Sequence, residues 1–248
     1  MKKLFFPILL SCSLSSFAIY ADEATPPTYQ QAVTDAAFVK DTEIASNLVA
    51  ISDKNPNLVW NADKTKILVL TWKEKSSYEK FIKPNTAASS NPEHATWVTA
   101  APQVQQFCQN YLAQNPSAGK AELDLRLKQY LGLNADWNYD VFVEMWVSPQ
   151  DLFRPCVDPQ VDDSQCNLQF GSQSPQVKNI PDYVSFYKNL YFKSFRASGG
   201  VPWTGLGYTY DWGNAQTPVG ASEFILTPQA AYKIEKAIPT MDYCKANP

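Results

Sequence analysis

The 248-residue chain contains a single histidine, His94, and none of the common nucleophile or phosphate-binding motifs. It has no GxSxG nucleophile elbow, no HExxH zinc motif and no P-loop. A Ser-His-Asp mechanism would depend on His94, which follows Pro92 and Glu93 in a polar stretch and is expected to be solvated. If the protein is an enzyme, paired carboxylates are therefore the expected catalytic groups.

Basic runs are also absent. The chain has 21 basic and 24 acidic residues, a net charge of −3. Two of the basic residues, Lys2 and Lys3, lie in an N-terminal targeting segment; without them 19 basic residues face 24 acidic ones, a difference near −5. This acidic balance argues against a nucleic-acid partner.

No apolar run after residue 21 is long enough to span a bilayer, which takes about 20 apolar residues. At the N-terminus, Lys2 and Lys3 precede a short apolar stretch and then small residues, the order typical of a secretory signal. A lipoprotein signal ending at Cys12 is the alternative, but the apolar run continues to Ile19. We predict a signal peptide at 1–21 and one exported globular domain at 22–248, periplasmic or secreted, since no Gly/Ser- or Pro-rich linker divides it.

CxxC pairs are absent, and the four cysteines beyond Cys12 have no zinc-finger spacing. An even number of cysteines in an exported protein predicts two disulfides, and four cysteines allow three pairings. Cys156 and Cys166 would close a short polar loop, which leaves Cys108 to pair with Cys244. Cys108 belongs to the apolar stripe of a predicted helix, so it is expected to face the core.

Helical and strand-like patterns are interspersed without regular alternation. This predicts an α+β domain with a mainly antiparallel sheet packed against several helices. The predicted helices cover 29–51 with a break near residue 40, a segment opening at Pro102, 117–131 and 181–196. The predicted strands cover 57–60 and 66–72 as a hairpin, 95–100, 139–147, and 222–227 paired with a strand at 232–235. A helix that starts at Thr227-Pro228 is the alternative for the last segment. Residues 73–94 and 156–181 are predicted to be exposed loops.

Two segments combine charge with large aromatic residues, FVEMWVSPQDLFRPCVDP at 142–159 and GLGYTYDWG at 205–213. On the first strand Glu144 and Trp146 share a face because side chains alternate. A buried carboxylate needs a partner, and Arg154 is a candidate because its planar fork fits a carboxylate. The alternatives for Glu144 and Arg154 are an ion pair that fixes the loop and a ligand-binding or acid–base role.

In the second segment, aromatic residues stand beside a carboxylate and could stack on a sugar or another polar ligand, or simply pack. Four aspartates, at positions 151, 158, 162 and 163, suggest calcium, but their spacing does not match an EF-hand loop and Asp-Pro steps are ordinary turn chemistry. We therefore expect no metal and no cofactor.

The two segments, with PWTxLGYTYDWG from Pro202 and VGxSEF from Val219, resemble a family of uncharacterised exported bacterial proteins. The resemblance covers roughly residues 66–244. It implies a single exported domain and a strand at Tyr232, and it carries no catalytic roles. Gln160 departs from that pattern, where related chains are acidic after the Asp-Pro step.

These patterns favour an exported protein that binds a small polar or glycan-like ligand. A carboxylate-dependent hydrolase at the same place, or a structural or host-interaction protein without a pocket, are the alternatives. The expected site brings Glu144, Arg154 and Tyr210 together. The full candidate set is Glu144, Trp146, Asp151, Arg154, Asp158, Tyr208, Tyr210, Asp211, Trp212 and Glu223.

Overall fold

Eight strands and six helices organise the computed structural model, which describes residues 26–197 and 199–245. The predicted signal peptide lies outside the described residues. The strands are β1 (Ile67–Lys73), β2 (Trp97–Ala100), β3 (Val141–Val147), β4 (Leu152–Phe153), β5 (Tyr208–Tyr210), β6 (Val219–Ser222), β7 (Phe224–Leu226) and β8 (Tyr232–Pro239). The helices are α1 (Tyr29–Ala36), α2 (Lys75–Ser77), α3 (Ala101–Gln114), α4 (Lys120–Tyr130), α5 (Tyr183–Arg196) and α6 (Thr240–Lys245).

The main sheet has six strands in the order β4-β7-β2-β1-β3-β8, and every neighbouring pair is antiparallel. Strands β5 and β6 form a second, two-stranded antiparallel sheet. Together with the helices this makes a compact α+β domain, as the sequence predicts. No helix in the described ranges is long and apolar enough to cross a membrane.

Both faces of the main sheet are covered, which explains the continuous apolar run of β1. One face packs on residues such as Ile51, Tyr78 and Ile82. The other face packs on α3, α4 and α6, with Val104, Leu127 and Tyr243 reaching the sheet. Helices therefore cover one face, while mostly irregular segments cover the other.

Two disulfides have the pairing that the sequence predicts. Cys108, in α3, is fully buried and bonds Cys244 in α6, with their Cα atoms 5.4 Å apart. Cys156 bonds Cys166, with Cα atoms 6.2 Å apart. Disulfides of this kind favour an oxidising, extracellular compartment.

The strand at 232–235 was expected to pair with residues 224–226, and this is wrong. Strand β8 pairs with β3 along its length, from Tyr232 opposite Val147 to Pro239 opposite Val141. Strand β7 has no free edge for it, because β2 and β4 occupy its two sides. The alternating pattern identified the strand but carried no information about its neighbour.

Three further expectations need correction. The exposed loop at 73–94 contains α2 and a π-helical turn at Tyr78–Ile82, because Tyr78 and Ile82 share one face and pack into the core. The helix at 29–51 ends at Ala36, and the apolar residues that follow it lie in irregular chain on either side of a 3₁₀ turn at Asp41–Glu43. The hairpin at 57–72 is reduced to a single bridge, Trp60 with Ile67.

The predicted strand at 222–227 divides at one residue, Glu223. Before it, β6 belongs to the small sheet; after it, β7 belongs to the main sheet. The Glu223 amide donates to the Gly207 carbonyl at 3.0 Å, one step beyond the Tyr208–Ser222 pair of the small sheet. This places the Glu223 side chain at the junction of the two sheets.

Candidate functional site

Glu144 lies in the middle of β3, next to the edge strand β8, and is 3% exposed. Its partner is Lys236 of the adjacent β8, whose Nζ lies 3.2 Å from Oε2, and not Arg154. Oε2 has no hydrogen-bond partner, so the contact between Lys236 and Glu144 is an ion pair without hydrogen-bond geometry. Glu144 therefore acts as a buried cross-strand charge whose partner reaches the surface.

Arg154 is fully buried and holds loops together through backbone carbonyls. Its guanidinium donates to Val49 O at 3.2 Å, Asp163 O at 2.9 Å and Gln160 O at 3.3 Å. The same group lies over the Phe224 ring, 4.9 Å from its centroid. Burial lowers the pKa of the guanidinium, but an arginine stays charged in proteins. Arg154 is thus a fixed positive charge beneath β7.

The aromatic segment at 208–212 is committed to structural contacts. Asp211 accepts two hydrogen bonds from Arg126, at 2.8 and 2.7 Å. The Tyr210 hydroxyl donates to Asp35 at 2.8 Å, and the Trp212 indole donates to a backbone carbonyl at 3.1 Å. The Tyr208 hydroxyl also donates to a carbonyl, that of Glu43 at 2.8 Å. These side chains mainly join the small sheet to α4 and the N-terminal segment.

The remaining candidates also have protein partners. Asp151 pairs with Lys178 at 2.5 Å, and Trp146 donates to Glu235 at 2.7 Å. Asp158 accepts from the backbone and side-chain amides of Asn167 at 2.9 and 2.6 Å. Asp158 also lies beside the sulfurs of Cys156 and Cys166, but these are bonded to each other and are not thiolate metal ligands.

Glu144, Arg154 and Tyr210 each have a separate set of partners. No hydrogen bond or ion pair joins any two of them in the part of the chain that the structure describes. The expectation of one shared site therefore receives no support from their contacts.

A different feature, a cleft of about 470 Å³, opens where β1 and β2 separate. The two strands pair only at Val69–Ala100 and Leu70–Thr99. Residues 71–73 of β1 pair only with β3. The first residues of β2, Trp97 and Val98, pair with β7 and not with β1. The cleft lies along this split, and α5 and the segment 201–203 close its other side.

The walls of the cleft are rich in aromatic side chains. Trp72 stacks on Tyr139 and on Phe142, with centroids 5.0 and 5.2 Å apart, so this wall is rigid. Trp137 is 39% exposed, as expected for a residue near the opening. The aromatic lining comprises Trp72, Trp97, Trp137, Tyr139, Phe142, Trp203 and Tyr210.

Three polar atoms in the lining residues are buried and have no hydrogen-bond partner. They are Thr99 Oγ1, Trp203 Nε1 and Glu223 Oε1. Val98 pairs with Phe224, so the preceding Glu223 lies beside Thr99 on the same face of the sheet. Most buried polar groups in folded proteins are paired. Three unpaired ones among the residues that line one cleft are candidate donors and acceptors for a ligand.

Glu223 is 7% exposed, and burial raises the pKa of its carboxyl to about 8. The charge of Arg154 acts in the opposite direction, but the desolvation effect is larger. The carboxyl is consequently protonated near neutral pH, and it can both donate and accept a hydrogen bond. A strongly shifted acid in a cleft marks a candidate functional group.

The second acid in the lining, Glu93, belongs to the rim. It accepts from Asn189 at 2.9 Å and pairs with Lys193 at 3.0 Å, which ties the segment before β2 to α5. These contacts lower the pKa of the Glu93 carboxyl, first through the Lys193 hydrogen bond. A smaller cavity of about 290 Å³ adjoins this bridge and shares Glu93, Trp97, Leu190 and Lys193 with the cleft.

Of the predicted site residues, only Tyr210 and Glu223 line this cleft. Thr99 and Trp203 were missed, because a threonine in an apolar strand and a tryptophan after a proline look like ordinary core residues. Their unpaired state depends on tertiary structure. His94 is exposed, as expected for a solvated residue.

Comparison with family models, with curated proteins and with solved structures gives no match for this chain.

Proposed function

We propose that the protein is an exported binding protein for a small polar or glycan-like ligand, which occupies the cleft between β1 and β2. The observation that carries the proposal is the group of unpaired polar atoms on Thr99, Trp203 and Glu223. A buried polar atom without a partner costs on the order of 1–3 kcal/mol. A ligand that satisfies all three atoms would remove that cost, and its affinity would gain accordingly.

The size and character of the cleft support this proposal. About 470 Å³ falls within the range of pockets that hold small molecules, and such pockets combine apolar walls with a few directed polar groups. Flat aromatic walls suit a ring or another compact group with an apolar face. The rigid Trp72–Tyr139 stack suggests that this wall is formed before the ligand arrives.

Binding is favoured over hydrolysis because the cleft has one interior acid. Paired-carboxylate hydrolases place two carboxyls roughly 5–10 Å apart across the scissile bond. Glu93, the other acid in the lining, is engaged by Lys193 and Asn189. Glu144 on β3, Leu70 on β1 and Thr99 on β2 lie opposite one another across the sheet. Glu223 lies beside Thr99, so Glu144 is three strand spacings, or roughly 14 Å, from Glu223. Glu144 does not line the cleft.

A thermal-shift screen tests the proposal. Sugars, amino acids, small ammonium compounds and short peptides would be added to the wild-type protein and to Thr99→Val, which removes one unpaired hydroxyl with little change of shape. A ligand of the folded state raises the unfolding midpoint of the wild type, by RT ln(1 + [L]/Kd) in free energy. The expected shift is smaller for the variant. Equal shifts in both proteins, or no shift with any compound, would refute binding in this cleft.

A further inference from the structure

We infer that the ligand is a small organic cation of the quaternary-ammonium type, held against the aromatic walls of the cleft beside Glu223. This inference rests on the proposed function and specifies its ligand class. It draws on three observations: the number of aromatic residues around the cleft, the commitment of two lining hydroxyls to the protein, and a buried carboxyl without an ion-pair partner.

The aromatic lining suits a cation more than a sugar. Cations are attracted to the faces of aromatic rings, with tryptophan strongest, and quaternary ammonium groups are recognised by several rings around one charge. Four of the seven aromatic lining residues are tryptophans: Trp72, Trp97, Trp137 and Trp203. A sugar ring uses one or two such faces and needs many hydrogen-bond partners for its hydroxyls.

Two of the lining hydroxyls are already committed to the protein. Thr209 lines the cleft, but its hydroxyl donates to Tyr130 O at 2.7 Å and accepts from Ala221 N at 2.8 Å. The Tyr210 hydroxyl is held by Asp35. In the interior of the cleft, Thr99, Trp203 and Glu223 are left with unpaired buried atoms. A compact ligand with one or two polar groups could pair with these atoms.

Glu223 provides the negative charge. No ion pair or hydrogen bond joins it to Arg154 among the described residues, although the charge of Arg154 acts on it. The Arg154 guanidinium bonds to loop carbonyls through Nε and Nη2, and its Nη1 is buried without a partner. Burial therefore leaves the Glu223 carboxyl with a pKa of about 8. An organic cation in the cleft would stabilise the ionised form, so binding near neutral pH would release a proton to solvent.

Other charged groups around the cleft must be included. Lys193 is neutralised by Glu93 at the rim. Lys73 also lines the cleft, and burial lowers the pKa of its ammonium, which weakens its repulsion of a cation. Tyr139 and Tyr210 both have raised pKa values because of burial and stay neutral. A ligand that carries a carboxylate as well as an ammonium group could use Lys73 in addition to Glu223.

Two pairs of isosteric probes test the inference by titration calorimetry. Choline is compared with 3,3-dimethylbutan-1-ol, and glycine betaine with 3,3-dimethylbutanoate; in each pair a carbon replaces the charged nitrogen. We expect the ammonium member of at least one pair to bind about tenfold or more tightly than its isostere, a difference of about 1.4 kcal/mol. Its affinity should increase from pH 6 to pH 9, and the heat should depend on the buffer because a proton is released.

Two variants locate the effect. Glu223→Gln keeps the shape of the neutral acid but cannot ionise, so it should weaken ammonium binding about tenfold and abolish the proton release. Glu79→Gln removes an acid outside the cleft and should leave both unchanged. Equal binding of the isosteres overturns the inference. If neutral sugars bind in the cleft and ammonium compounds do not, the cation is wrong and the proposed function stands; if no probe binds, both fail.

Discussion

Arg126 donates one hydrogen bond to each carboxylate oxygen of Asp211, at 2.8 and 2.7 Å, and Asp211 is only 2% exposed. The Arg126 guanidinium also lies 4.7 Å from the centroid of the Phe107 ring. This pair connects α4 to the end of β5, so it fixes the small sheet against the helical layer that covers the main sheet. The role of Asp211 is therefore structural.

Replacing Asp211 with asparagine should lower the free energy of unfolding by about 3 kcal/mol, because it leaves the partly buried Arg126 charge without its partner. Urea denaturation measures the loss. Glu79→Gln, which breaks the exposed pair with Lys83, serves as the control and should cost about 0–1 kcal/mol. Losses of equal size in the two variants would contradict the structural role of Asp211.

The raised pKa of Glu223 predicts an unusual pH dependence. Between the ordinary glutamate value near 4.5 and the folded value of about 8, the folded state holds a proton that the unfolded state has lost. The Glu223 contribution to stability should thus fall as pH rises through this window, by about 1.4 kcal/mol per pH unit, and level off above it. The free energy of unfolding would be measured by urea denaturation from pH 5 to 9 for the wild type and for Glu223→Gln, and the difference between the two isolates this contribution. A difference that does not change with pH would show that the carboxyl ionises normally.

Thr99 and Thr240 form a matched pair for testing the unpaired hydroxyl. Thr99 Oγ1 has no partner, whereas Thr240 Oγ1 accepts from the Trp72 indole at 2.8 Å. Thr99→Val should keep or raise the free energy of unfolding, by up to about 1 kcal/mol, and Thr240→Val should lower it by a similar amount. The same denaturation experiment measures both. A loss for Thr99→Val as large as for Thr240→Val would mean that the Thr99 hydroxyl is satisfied in solution.

The two disulfides should differ in what their removal affects. In the chain-entropy treatment the ten-residue separation of Cys156 and Cys166 is worth about 2.7 kcal/mol, and the 136-residue separation of Cys108 and Cys244 about 5 kcal/mol. Replacing Cys156 and Cys166 by alanine should also release the carbonyls that Arg154 holds within that loop. Amide hydrogen exchange should then rise at 154–166 before the rest of the domain; a uniform rise would contradict this local effect.

The disulfide pairing and the α+β class could be predicted because both depend on local information. Cys108 belongs to an apolar helical stripe, and Cys156 and Cys166 enclose a polar loop, so burial and loop closure point to the same pairing. The partner of β8 could not be predicted in this way. Its alternating residues identify a strand, but only the occupied edges of β7 decide that it joins β3.

The candidate site was harder to predict because charge and aromatic content do not distinguish a ligand contact from a structural one. Asp211 and Arg154 are conspicuous in the sequence, yet Asp211 is hydrogen-bonded to Arg126 and Arg154 is hydrogen-bonded to loop carbonyls. Thr99 and Trp203 are inconspicuous, yet each has an unpaired buried polar atom and lines the cleft. Glu223 was a candidate, but its importance comes from the position where one strand divides between two sheets.

The indole N–H resonances of the seven tryptophans test the central claim, a ligand in the cleft, most directly. Trp72, Trp97, Trp137 and Trp203 line the cleft, whereas Trp60, Trp146 and Trp212 do not. Compounds that raise the unfolding midpoint would be titrated into ¹⁵N-labelled protein, with the seven signals assigned by single Trp→Phe variants. We predict that they shift signals of the cleft group, Trp203 foremost, and leave the other three in place. Shifts confined to Trp60, Trp146 or Trp212, with the signals of the cleft group unchanged, would contradict binding in the cleft.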